Sequence, residues 1–178
     1  NNRGNAGLKV TPEDWDTANA FCVLQLGLGA CVGGYGTSTP QAIFSNNLYF
    51  DDTNNRWQYI VNDTATLYHQ NNDGKHIWFT ADSGTADAEA TLNQRMVILN
   101  DGKVGIGTDT PGNKFHVYQD SGVFAALIQQ NQGDGFVLDL LASASDDHAD
   151  DPLFRARTDA ATLLQLMNDG RMILNTNH

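Results

Sequence analysis

Apolar and polar residues alternate along much of the chain, and short turn texts break the alternation at intervals. Leu67 and His69 lead into NNDGKH, and His76 and Trp78 lead out of it. Met96 and Ile98 precede LNDGKV, and Val104 and Ile106 follow it. Phe136, Leu138 and Leu140 follow NQGDGF, while Leu164 and Leu166 precede MNDGRM, with Met172 and Leu174 after it. A period of two belongs to a half-buried β-strand. The glycines of these turns, Gly74, Gly102, Gly135 and Gly170, suit a type I turn whose glycine takes the left-handed position as a bulge. A fifth hairpin is expected between Leu48–Phe50 and Arg56–Ile60, across DDTNN. The glycines lie 28, 33 and 35 residues apart, a spacing that suggests a repeat architecture.

Val123–Ile128 and Phe136–Leu141 are apolar on both faces, and such strands must be covered on both sides. A string of hairpins buries little by itself. Either the hairpins fold back into a sandwich, or identical chains wrap together and bury the second face between subunits. The small residues of VGIGT favour close approach there, with Val104, Gly105, Ile106 and Gly107 as the packing positions.

The N-terminal part reads differently. Thr11 suits a helix cap, Pro12 the first helical position, and Glu13 and Asp14 the positive end of the helix dipole, so one short helix is expected through Phe21. Leu24 to Gly36 is apolar and glycine-rich, which predicts a packed strand or loop where backbones come close. The expected organisation is an attachment or cap segment over 1–45, a first hairpin module over 46–110 and a second over 111–178.

Composition supports the β reading. The acidic residues are 19 Asp and only 2 Glu, beside 18 Asn, 17 Gly and 15 Thr. These are turn and strand residues, whereas the Glu and Lys of helix surfaces are scarce. A net charge of -11 argues against nucleic acid and anionic membrane surfaces, and no apolar stretch is long enough for a membrane helix. Cys22 and Cys31 stand nine apart, and the sequence leaves open whether they form a bridge or two thiols.

Candidate chemistry is sparse. The run Gly27–Thr37 contains no Lys and does not have the spacing of a phosphate loop. Asp146–Asp151 has no turn glycine and no bidentate Glu, so it reads as a solvated loop rather than a calcium site. His69, His76, His116, His148 and His178 form no local metal clamp. No nucleophile elbow is present. The expectation is a non-enzyme with no cofactor and no metal. Trp57, Tyr59, Tyr68 and Trp78 lie on neighbouring strands among Asn and Asp and are candidates for stacking on a glycan; the alternative is that they fill the core or a subunit interface.

The segment KVGIGTDTPGNKFHVYQDSG, Lys103–Gly122, resembles the VGIGT-x-x-P-x-x-K-[LF]-H-V stem motif of phage tail fibres and related trimeric β-rich adhesins. The texts around it resemble the same class over Asn46–Leu174. The final turn, NDGRMILNTNH, departs from the pattern by lacking a second VGIGT and its proline. The resemblance implies a mostly β chain, a string of hairpins intertwined as a β-prism-like homotrimer, placed on a virion outside the cell. The implied partners are other copies of the chain, further virion tail or fibre proteins, and a host surface glycan or protein receptor. The implied role is structural and adhesive. Two alternatives remain at this point: a monomeric β-sandwich carbohydrate-binding module, and a bacterial surface filament or adhesin.

Overall fold

The computed structural model describes residues 6–13, 15, 21–36, 39–51, 53–120, 125–126, 152–157, 162–167 and 170–174. Among these the chain is β throughout. Two compact units divide it, residues 1–126 and 127–178.

The first unit holds β1 (Ala6–Leu8), β2 (Cys22–Leu26), β3 (Ala30–Tyr35), β4 (Gln41–Asn46), β5 (Leu48–Asp51) and β6 (Arg56–Tyr59). It continues with β7 (Asp63–Gln70), β8 (His76–Gly84), β9 (Asn93–Ile98), β10 (Val104–Ile106) and β11 (Phe115–Val117). Nine of them form one sheet in the order β1-β2-β3-β4-β7-β8-β9-β10-β11. The pairings from β2 to β10 are antiparallel, and β1 and β11 join the two ends in parallel. The β5–β6 hairpin is a separate two-stranded piece.

The expected turns at Gly74 and Gly102 are present and built alike. Gly74 has φ +75° and Gly102 φ +79°. The Gly74 and Gly102 amides donate to the Asn71 and Leu99 carbonyls at 3.1 and 2.9 Å. Asn71 and Leu99 in turn donate to the carbonyls of Lys75 and Lys103. Asn71 Oδ1 also accepts from the Asp73 and Lys75 amides, so the asparagine side chain shapes the turn. The hairpin across DDTNN is β5–β6.

Asn47 is the pivot of the unit. It is buried and holds φ +60°, the left-handed region that asparagine tolerates better than most residues. Its side chain accepts from the Val61 amide at 2.8 Å and donates to the Val61 and Thr64 carbonyls at 3.1 and 3.0 Å. One side chain thereby ties the exit from β4 to the entry into β7, and the chain between them forms the hairpin. The hairpin joins Trp15 and Phe21 over the inner face of the sheet, with Leu48, Tyr59, Val23, Cys31, Ile43 and Leu67 in the core. The β8–β9 connection completes this layer along β6: Ala90 donates to Trp57 O, and Tyr59 exchanges bonds with Ala88 and Asp87.

Several expectations change. Of the helix expected through Phe21, residues 14 and 16–20 lie outside the described residues; 11–13, 15 and 21 are irregular. Trp15 and Phe21 nevertheless enter the core, their rings 5.7 Å apart. The boundary expected at 45/46 falls inside a continuous sheet, and that at 110/111 falls between the paired strands β10 and β11. The glycine-rich run forms the β2–β3 hairpin: a Cβ on Gly33 would stand 2.8 Å from Val23 Cγ2. Cys22 and Cys31 are unbridged thiols. Cys31 pairs with Gln25 on the inner face while Cys22 is exposed on the other, so the sheet itself separates them.

The second unit contributes β12 (Pro152–Arg157), β13 (Thr162–Met167) and β14 (Met172–Leu174), an antiparallel three-stranded sheet. Gly170, in the last connection, has φ +85°. Gly135, the expected strand Phe136–Leu141, and Asp146–Asp151 with His148 lie outside the described residues, as does His178; of the expected strand Val123–Ile128 only residues 125 and 126 are described, and they are not in a strand.

Candidate binding surface

The inner face of the large sheet is covered. Among the described residues no layer covers the outer face, and its residues can be followed strand by strand through the register. Ala6 lies opposite Leu24, Leu24 opposite Val32, and Val32 opposite Phe44. Phe44 then pairs with Tyr68, Tyr68 with Trp78, and Trp78 with Met96. Met96 pairs with Ile106 and Ile106 with Val117. One unbroken apolar row thus crosses all nine strands. An antiparallel sheet with a solvated face ordinarily alternates apolar with polar; here the alternation fails on the side facing water. Phe44 is 55% exposed, Leu24 and Val32 43% each, and Ile106 39%.

At the centre of the row three rings stand together. Tyr68 and Trp78 stack with centroids 5.0 Å apart and planes 28° from parallel. His76 stacks on Tyr68 at 6.0 Å, and its Nδ1 lies 2.5 Å from the Tyr68 hydroxyl. Each of these rings thus gives a face to a neighbouring ring. Trp57 and Tyr59, the other two glycan candidates, belong to the opposite layer. Tyr59 is 4% exposed, and its hydroxyl donates to Asp82 O at 2.6 Å. Trp57 meets Trp15, Phe21 and Phe50 edge to face. The four aromatics therefore split between a core pair and a surface pair.

The stem-motif residues also divide. Val104 and Ile106 belong to the open face. Gly105 points inward beneath the loop between β10 and β11, where a Cβ would meet Thr108 O at 2.6 Å and Val97 Cγ1 at 3.2 Å. Gly107 has φ +73°, and a Cβ on it would stand 2.3 Å from Tyr118 O. The close approach that these glycines permit is made within the chain. The loop buries Pro111 and Val97, and it lets two parallel strands be joined by eight residues without a helix. Lys103 sits 2.9 Å from the Asp101 carboxylate, and its hydrogen bond holds that carboxyl below its ordinary pKa.

Other groups serve the fold. Burial pushes the Cys31 thiol up to about 12 and the His69 imidazole below 6.5. His69 Nε2 lies 2.7 Å from Gln41 Oε1. Burial, and then the Asp87 carboxylate, raise Glu13. Among the described residues no group of three metal-ligating side chains comes together. A cleft of about 350 Å³ opens beside the stem loop, lined by Gln94, Gly107, Thr108, Asp109 and Tyr118.

The alternating pattern foretold strands but not the open row, because cross-strand register is invisible in a single strand. Asn47 was missed as well; its only signal is the Asn-Asn pair at the end of a strand. No protein-family model, curated protein or solved structure matches the chain.

Proposed function

We propose that this chain is a structural and adhesive segment of a homotrimeric fibre of the phage-tail-fibre kind. It would stand on a virion, outside the cell, joined to other tail or fibre proteins. It would hold or form a tip that meets a host surface glycan or protein. The observation that carries the reading is the recurrence of one device along the chain. Aspartate–glycine turns with a left-handed glycine close hairpins at Gly74 and Gly102 in the first compact unit, and in the second Gly170, also left-handed, lies between the antiparallel strands β13 and β14. A chain assembled from repeated hairpins suits a stem made of modules in series. The resemblance of Lys103–Gly122 to the fibre stem motif agrees with it, and so does an outer sheet face left without cover.

Adhesion by three copies of a weak site gains through avidity, with no catalytic step or cofactor. The test is the absolute mass and hydrodynamic shape of the chain in solution by light scattering. An elongated particle of three times 19.4 kDa is expected. A compact 19.4 kDa monomer would refute the fibre and favour the carbohydrate-binding module, and large open-ended particles would favour the filament.

A further inference from the structure

We propose that the outer face of the nine-stranded sheet is the seam along which copies of this chain meet, with three such faces turned toward a common axis. The inference rests on the trimer reading and names the surface that makes it.

Three observations choose a second copy as the occupant. The first is continuity: the apolar row from Ala6 to Val117 runs from one edge of the sheet to the other, with Leu24, Val32, Phe44 and Ile106 exposed and Tyr68, Trp78 and Met96 partly buried between them. The second is charge. The chain carries 21 acidic and 10 basic residues, yet no Asp, Glu, Lys or Arg occupies a paired position on this face. Arg95, in the bulge of β9, reaches it only to bond Thr80 Oγ1 at 2.8 Å. A foreign partner of an acidic protein is steered and selected by complementary charge. Copies of a chain with a net charge of -11 repel one another, and they come together most readily through a surface without acidic side chains at its paired positions.

The third is area. Leu8, Leu24, Leu26, Val32, Phe44, Ile106 and Phe115 are each at least 37% exposed. With a large apolar side chain worth roughly 150–200 Å², these exposures amount to on the order of 600 Å² per chain, against about 800 Å² per partner in a standard interface. Apolar patches of that size mark interaction sites.

The experiment compares the wild type with Phe44→Lys and Ile106→Asp by light scattering, with far-UV circular dichroism as the control for folding. The expected result is a trimeric wild type and variants whose mass falls threefold with strand content retained. A trimeric wild type with variants that stay trimeric overturns the seam and leaves the fibre reading standing. A monomeric wild type overturns the fibre reading and the seam together.

A second measurement covers variants that fail to fold once separated. Phe44→Cys is made in a Cys22→Ser background, and maleimide labelling is followed in the assembled protein. Protection of position 44 by at least tenfold relative to a Leu28→Cys variant in the same background supports the seam; equal rates overturn it. Leu28 is 69% exposed in the β2–β3 turn and serves as the open reference.

Discussion

Replacing Gly107 by alanine separates two costs that usually occur together. The residue has φ +73°, where an L side chain carries a penalty of about 1–2 kcal/mol. Its neighbourhood adds a second cost. The new Cβ would lie 2.3 Å from Tyr118 O, a backbone atom held in place because the Tyr118 amide donates to Ile106 O at 2.9 Å. The Gly107 amide donates to Arg95 O at 3.0 Å, so the glycine cannot retreat freely either. Relieving the clash would loosen one or both of these bonds, at about 1 kcal/mol each.

Gly102→Ala is the matched reference. Gly102 has φ +79°, but the nearest atom to its Cβ position is Lys114 Nζ at 3.5 Å, the end of a flexible side chain. It should cost about 1–2 kcal/mol, and Gly107→Ala about 3 kcal/mol. For a unit of this size that corresponds to melting-temperature falls of roughly 5 °C and 12 °C. The assay is thermal and urea unfolding followed by circular dichroism, at one fixed protein concentration because assembly would add to apparent stability. If Gly107→Ala costs no more than Gly102→Ala, the reasoning about the stem loop is wrong.

Two further predictions concern the inner face. Trp15 is fully buried, so Trp15→Ala should cost about 3–5 kcal/mol in urea unfolding. Trp15→Phe should cost much less, because the indole N–H has no hydrogen-bond partner among the described residues; equal costs would refute that account. His69 is held below 6.5 by burial, so its contribution is present above pH 6.5. It is lost as pH falls from there toward the folded value, because the unfolded chain takes up the proton first. The urea midpoint of the wild type should therefore fall more steeply than that of His69→Gln as the pH is lowered below 6.5. Parallel profiles would show that His69 is not the group responsible.

The hairpins were legible because each is a local object. Asn71, Gly74, Asp101 and Gly102 carry their turn chemistry within six residues, and alternation marks the strands on either side. The large sheet was not legible for the opposite reason. Leu24, Phe44, Tyr68 and Trp78 form a row only through pairings between strands up to 24 residues apart. The excursion of β5 and β6 away from the sheet turns on the left-handed Asn47, a single backbone conformation. It also decides the fate of the aromatics. Trp57 and Tyr59 follow the pivot into the covering layer, while Tyr68 and Trp78 return to the sheet and face outward. Alternation names two faces of a strand without saying which is covered, and here both faces of β2 to β4 carry apolar side chains. The boundaries expected at 45/46 and 110/111 fall where strand pairing is continuous, and pairing between strands leaves no mark in composition.

The order of the strands has a kinetic meaning. From β2 to β4 and again from β7 to β10, each strand pairs with its neighbour in sequence, and only the β5–β6 excursion interrupts the progression. Contacts of short sequence separation form with little loss of loop-closure entropy, and chains built from them fold quickly. The chain can therefore zip its sheet hairpin by hairpin. In the proposed trimer such a chain would reach its partners with a finished surface, and the slow step would be the encounter of folded chains. Its rate should rise with chain concentration, while the rate at which the sheet itself forms should not.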